Sequence, residues 1–436
     1  MEVIISGSGL VGAAMALSLH KAGIKSTLYD QIDLLEAAKA AAMTGAPVAV
    51  EFGDSGGSVM LGASALRVIK KLGLLDELLA NSSPSKFTHW FKIDGTAQVV
   101  LDAVHSNSKG EPDPALHAPI QIMRSKLHSI LINACSKAGI RTYMGKKLVS
   151  VDDSGFRVTA HFADGSSATG DLLIGADGIH SATRIKAFDE KLKAEFTGVL
   201  GYIGVVDLEA HNIKLHETCA FYIERNKKQL VATFKVTEKI AAINVMTFAD
   251  PDPEESKEDA YRPYSDLPKH SARLADLIAG WGVPKNVEAM MRHAYRISPA
   301  SIYDLPDLKT YHKGKVVLVG DAAHGMVPNA GLGLVSGLED VGTLLELFLR
   351  FPEVKDIHKV LRIYSKLRVP QATDAAARSR AMSKQYYSSS VFGQSFSHFV
   401  LRLGIFAFNH DMVKYYDIFD CPTQVAAAVA AEGDAQ

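Results

Sequence analysis

Three short glycine-bearing segments, far apart in the chain, hold residue types that could grip a phosphorylated ligand. They are Gly7-Ser8-Gly9-Leu10-Val11-Gly12, Gly175-Ala176-Asp177-Gly178, and Gly320-Asp321-Ala322-Ala323-His324 followed by Pro328, Gly331 and Gly333. A pyrophosphate must approach the backbone at the start of a helix, where unpaired N–H groups and the positive end of the helix dipole favour an anion. Side chains would block that approach. In the first segment Gly7 permits the turn, Gly9 the close approach and Gly12 the packing of helix on strand. Asp30 follows 18 residues after Gly12, where it can accept hydrogen bonds from ribose hydroxyls. That segment by itself says that a dinucleotide binds.

In the third segment Asp321 comes directly after a buried run, well placed to hydrogen-bond a polyol hydroxyl. Gly331-Leu332-Gly333 then opens a helix whose apolar positions Leu338, Val341, Leu344, Leu345 and Phe348 recur at helical spacing. Its N-terminal N–H groups would stabilise an electron-rich ring that becomes anionic on reduction. A helix after a strand, with Asp321 as a turn residue, would explain this segment alone equally well. His324 is expected to pack and orient the turn.

The elements that must position these segments are legible. Glu2 to Ser6 reads as a strand, Leu10 to Lys21 as a buried helix and Ile24 to Tyr29 as the next strand, which is a βαβ nucleotide-binding unit. Leu127 to Ala138 reads as a helix, and Ile140 to Met144, Asp171 to Ile174 and Lys315 to Val319 as further strands of the same sheet. Lys86 to about Ala118 and Glu195 to about Arg296 differ, with alternating runs such as Phe221-Tyr222-Ile223 and Val231-Ala232-Thr233-Phe234. They suggest a second, sheet-rich domain inserted twice into the first.

Composition narrows the class. With 436 residues, 47% of them hydrophobic, the chain can fill two or three domain cores. A net charge of −1 provides no overall field for nucleic acid or an anionic membrane. Cys135, Cys219 and Cys421 are odd in number and lack CxxC spacing, which argues against a disulfide framework or a structural zinc site and for a reducing, cytoplasmic setting. Val3 to Leu19 carries three glycines and no preceding basic residue, so it reads as strand, turn and helix, not as a secretory signal. Phe399 to Phe408 is interrupted by Arg402 and is far shorter than a membrane span of roughly 20 residues. It reads as a packed C-terminal helix, and the alanine-rich tail from Val425 to Ala435 as frayed.

The ordered set of motifs resembles the FAD-dependent aromatic hydroxylases, the single-component class A flavoprotein monooxygenases, over roughly residues 2 to 380. Supporting stretches are Gly56-Gly57-Ser58-Val59-Met60-Leu61, Ala65-Leu66, Leu72-Gly73-Leu74, Met123-Arg124-Ser125-Lys126-Leu127 and Phe196-Thr197-Gly198. The resemblance implies an α/β fold: a Rossmann-like FAD-binding domain with an inserted mixed β-sheet substrate domain and a C-terminal helical segment. The divisions are residues 1–85, 118–186 and 298–380 for FAD binding, 86–117 and 187–297 for the sheet domain, and 381–436 for the C-terminal helices and tail.

By the same resemblance Gly7, Gly9, Gly12 and Asp30 would hold the ADP half of FAD, with Gly57 in the stretch after the second strand. Arg124 would contact the cofactor beside its ribose and phosphates, and Asp177 with Gly178 would serve both FAD and incoming NAD(P)H. Asp321 would hold the ribityl chain, Gly331, Leu332, Gly333 and Leu334 would line the isoalloxazine edge, and Pro328 would border the ring. The implied activity is NAD(P)H-consuming insertion of one oxygen atom from O2, through a flavin hydroperoxide, into an aromatic or polycyclic, largely apolar molecule. Tyr202 and Tyr222 are candidate bases for a phenolic substrate. No metal, nucleic-acid partner or transmembrane segment is implied, and the chain would be a monomer or homodimer.

Two departures from the family pattern stand out. Leu332 and Val335 replace a glutamine and an asparagine common near the flavin, and Ile203 before Gly204 replaces an arginine that holds aromatic acids. The stretch Gln31 to Gly53 is longer than usual, with a helical half, Leu34 to Met43, that could form a lid or partner surface. A flavin-dependent dehydrogenase or reductase without oxygen transfer, or a non-catalytic FAD-binding protein, would use the same scaffold.

Overall fold

The computed structural model describes residues 1–32, 56–107, 111–248, 266–387, 393–410, 412 and 419–433. Beyond Gln31 and Ile32, the long stretch to Gly53 and its expected helix lie outside the described residues. The chain builds two principal sheets. The first has six strands in the order His312–Lys313, Val316–Leu318, Leu172–Gly175, Glu2–Ser6, Lys25–Tyr29, Arg141–Tyr143. All its pairings are parallel except the one made by His312–Lys313. A parallel sheet covered on both faces needs apolar side chains on both, and Leu172–Gly175 is buried at every position. Its central helix, Leu10–Lys21, is alanine-rich and buried along most of its length.

The second sheet is the inserted one. Its seven strands run in the order Arg296–Asp304, Glu195–Asp207, Ile240–Phe248, Gln229–Lys235, Cys219–Glu224, Phe87–Lys92, Val99–Asp102. Neighbours are antiparallel except Cys219–Glu224 with Phe87–Lys92, so the sheet is mixed. Successive side chains point to opposite faces. One face packs on the helices Leu267–Trp281 and Lys285–Arg292, through Tyr202, Val206, Tyr222, Val231, Ile243 and their neighbours. The other carries Val199, Ile203, Phe221, Leu230, Phe234 and Met246 and turns toward Val327, Tyr386, Tyr387 and Phe408.

Helices close the C-terminal part: Ile357–Tyr387, Gly393–Asn409 and Cys421–Gly433. Leu401, Ile405 and Phe408 seat the second of these beside the sheet edge, while Phe399, Val400, Leu403 and Phe406 stay about half exposed. The expected fraying of the tail is corrected by the last helix. Val425 is fully buried there, because Gly342 has no side chain and a Cβ on it would come within 2.7 Å of Cys421 Sγ. Small residues let the two helices approach closely. All three cysteines are free and buried, and desolvation pushes each thiol up to about 12, so none is a ready nucleophile. Among the described residues no helix is long and apolar enough to cross a membrane.

A cluster of charges lies wholly inside the first unit. On the helix Gly333–Arg350, Glu339 and Asp340 are fully buried, and Arg368 of the next helix reaches them with its ion pairs at 3.0 and 2.8 Å. Ser64 donates to Glu339 and Arg368 also donates to the Ser336 carbonyl. Removing one member of such a cluster strands the others in a low dielectric, at a cost of about 3–5 kcal/mol. Arg368→Met is expected to lower the unfolding free energy by that amount in urea titrations. A change below about 1 kcal/mol would show that the cluster is not structurally required.

Candidate active site

The three glycine segments meet. Gly7 has φ +101°, and a Cβ on it would collide with the Ala176 carbonyl, which places the first segment against the second. A Cβ on Gly12 would strike the Gly7 carbonyl, so the helix starts hard against its own loop. Val11 fits between Gly320, where a Cβ would lie 3.0 Å away, and Gly337, where it would lie 2.6 Å away. That joins the first segment to the third. Arg184, fully buried, ties the second to the third by donating to the carbonyls of Ile179 at 2.6 Å and Ala322 at 2.9 Å. Desolvation pulls its guanidinium down to about 10 against the nearby Asp177 and Asp321 carboxylates.

Two helices begin at this junction, Leu10–Lys21 and Gly333–Arg350. Neither has a side-chain cap or an acidic residue in its first turn, which leaves their first N–H groups for an anion. The helix Ala182–Ala187, by contrast, is capped by Ser181. Gly9 has nothing within 4 Å of where a Cβ would point, so the space in front of it is open. These features fit a bound FAD.

The predicted contacts divide. Asp321 is exposed at the start of its turn, with Oδ1 3.9 Å from where a Cβ on Gly333 would lie, so the two predicted residues face one space. Pro328 opens a short 3-10 turn, Gly331 follows at φ +66°, and Met60 Cε approaches within 3.7 Å of a Cβ there. Leu332 is buried beside Met326 and Ala375, and Leu334 packs partly into the first core. Arg124 is exposed at the start of its helix, beside Gly56, and its N–H donates to the Gly57 carbonyl at 2.9 Å. Gly178 has φ +77° and open space around it.

Asp30 and Asp177 have inward roles that the spacing does not reveal. Asp30 Oδ2 accepts from both the N–H and the hydroxyl of Ser8, each at 2.7 Å, and His128 donates to the Ser8 carbonyl. The carboxylate therefore holds the loop between Gly7 and Gly12 in shape. Asp177 accepts from Ser181 and from both the N–H and the hydroxyl of Thr183. Desolvation raises its carboxyl above the ordinary value against those bonds. Ser8, His128 and Arg184 were missed in the sequence because the partners that tie them to other segments, Asp30, Ser8 and Ala322, lie 22, 120 and 138 residues away.

Tyr202 and Tyr222 are corrected. Both lie on the helix-packed face of the inserted sheet, Tyr202 under the Arg273 guanidinium and Tyr222 stacked on Phe91 at 5.2 Å. Burial also pushes the Tyr222 hydroxyl up to about 12, unsuited to a base near neutral pH. The face that meets the glycine segments carries their odd-numbered neighbours. A Cβ on Gly57 would lie 2.7 Å from Ile203 Cγ2. Beyond it stand Phe221, Phe234, Met246 and Tyr386, with Trp90 donating to the Tyr386 hydroxyl at 3.1 Å. His324 is buried and donates to Asp340, which fits its expected role of orienting the turn.

Comparison with known proteins agrees with this geometry. Residues 1–379 match the model of the FAD binding domain family. A salicylate hydroxylase of Pseudomonas putida is 30% identical over 390 residues, covering 85% of this chain and 83% of its own. An FAD-dependent urate hydroxylase of Mycolicibacterium vanbaalenii is 26% identical, covering 87% of each chain. The crystal structure of Klebsiella pneumoniae HpxO with FAD and uric acid superposes with a TM-score of 0.74 over 94% of this chain and 96% of that one, at 19% identity, and so speaks to the fold. The chain belongs to the FAD-dependent aromatic hydroxylase family, and it is an FAD-dependent monooxygenase.

Asp321→Ala is expected to weaken FAD binding by at least about tenfold in flavin-fluorescence titrations, with the far-UV spectrum unchanged. Tyr202→Phe and Tyr222→Phe are expected to keep turnover within about twofold, since neither hydroxyl faces the glycine segments.

Proposed function

We propose that this chain consumes NAD(P)H and inserts one oxygen atom from O2 into an aromatic or polycyclic, largely apolar small molecule. The observation that carries the reading is the facing of two unlike surfaces: the joined glycine segments on one side, and the apolar wall of Ile203, Phe221, Phe234 and Met246 on the other. Gly7, Gly9, Gly12 and Asp30 would bind the ADP half of FAD, Gly57 and Arg124 its middle, and Asp321 its ribityl chain. Pro328, Gly331, Leu332, Gly333 and Leu334 would border the ring, with Asp177 and Gly178 near both FAD and the nicotinamide. Bound FAD supplies the redox chemistry and oxygen activation.

The protein's own contributions follow from its residues. The uncapped start of Gly333–Arg350 favours negative charge beside it. The apolar wall keeps water out, which protects a reactive centre from side reactions. Salicylate and urate, named for the two relatives, are both small ring compounds, in keeping with such a chamber. The inserted sheet would be the substrate domain and the chain a cytoplasmic monomer or homodimer.

Purified yellow protein supplied with NAD(P)H, labelled O2 and candidate aromatics is expected to place one labelled oxygen in the product. NAD(P)H oxidation that depends on an aromatic substrate under anaerobic conditions, with no label incorporated in air, would instead identify a dehydrogenase or reductase.

A further inference from the structure

A cleft opens where the first unit meets the inserted sheet, and none of its lining residues is among those read onto FAD. On one side stand Asn81, Met123 and Lys126, and on the other Thr237, Tyr295 and Arg296. Its volume is about 320 Å³. Sites that engulf a whole drug-sized ligand run from about 300 to 1,000 Å³, so this cleft suits one nucleotide and not a dinucleotide.

Charge selects what it would take. Lys126 and Arg296 are cations, and among the described residues no carboxylate lines the cleft. Lys126 is exposed and makes no ion pair among the described residues. Residues two apart on a helix do not share a face, so Lys126 turns into the cleft while Arg124 lies against Gly56. A phosphate monoester, with a charge of about −1.5 to −2 and three acceptor oxygens, matches such a pair better than the diester links of a pyrophosphate. Tyr295, 53% exposed, adds a flat ring on which a base can stack. Arg296 also donates to the Gly56 carbonyl at 3.0 Å, and a Cβ on Gly57 would lie 2.7 Å from Ile203. The inner end of the cleft therefore adjoins the apolar wall, and a ligand anchored in it can extend toward the glycine segments.

We propose that this cleft holds the adenosine 2′-phosphate end of NADPH, with Lys126 on the phosphate and Tyr295 against the adenine, and that it makes the chain prefer NADPH to NADH. The inference rests on the NAD(P)H-consuming reading and names its coenzyme.

Calorimetric titration of the FAD-loaded full chain with NADP⁺, NAD⁺ and 2′,5′-ADP reads the cleft without any turnover. NADP⁺ is expected to bind at least about tenfold more tightly than NAD⁺, and 2′,5′-ADP to compete with it. Lys126→Gln is expected to abolish the difference and Lys126→Arg to keep it. Tyr295→Ala is expected to weaken NADP⁺ and NAD⁺ alike, with FAD content stoichiometric in all three variants. Equal affinities for NADP⁺ and NAD⁺, or a Lys126→Gln chain that keeps the difference, overturns the inference. So does loss of FAD from Lys126→Gln, which would assign the lysine to the flavin instead. Anaerobic mixing with NADPH or NADH tests the reading beneath it separately: bound flavin that neither coenzyme reduces overturns NAD(P)H consumption.

Discussion

Asp340 holds the turn on which the site is hung. One of its oxygens accepts from the Gly320 N–H at 2.8 Å and from His324 at 2.6 Å, and the other accepts from Arg368. Burial alone would raise this carboxyl, but the charges of His324 and Arg368 and their hydrogen bonds hold it below the ordinary carboxylate value. A charge this deep is tolerable only while every partner is in place. The Gly320-Asp321 turn is therefore fixed from beneath by Asp340 and from the side by Arg184. Asp321 is left facing outward.

Steric necessity completes what charge begins. Val11, at the first helix, fills the gap that Gly320 and Gly337 leave, and Gly7 lies against Ala176. Backbone meets backbone at Gly7 and the Val11 side chain meets bare glycine at Gly320 and Gly337, so that even a methyl group would force the segments apart. The result is a junction whose shape depends on glycine and whose polarity depends on two uncapped helix starts. An anionic cofactor is the natural occupant of such a place.

The inserted sheet contributes through register. Because side chains alternate, one strand gives Tyr202 to the helix-packed core and Ile203 to the opposite face, against Gly57. A shift of one residue would exchange these faces entirely. The character of that face, apolar around Ile203, is thus a consequence of how the Glu195–Asp207 strand pairs with its two neighbours.

Much of this was legible along the chain. Glycine spacing, the apolar runs before each segment and the acidic residue after the second strand depend on local geometry, so Gly7, Gly9, Gly12 and the first sheet's strands could be read directly. The alternating runs announced an inserted sheet, but alternation does not say which parity packs on the helices, and Tyr202 and Tyr222, candidate bases by sequence, lie on the helix-packed face. Nor could spacing show that Asp30 braces Ser8, that Arg184 reaches Ala322 across 138 residues, or that Val425 is buried in a tail of alanines. Local pattern determined the elements and their glycine turns. Partner choice for buried charges, and the face each strand presents, came only from long-range packing, because both are set by neighbours that meet after the chain has folded.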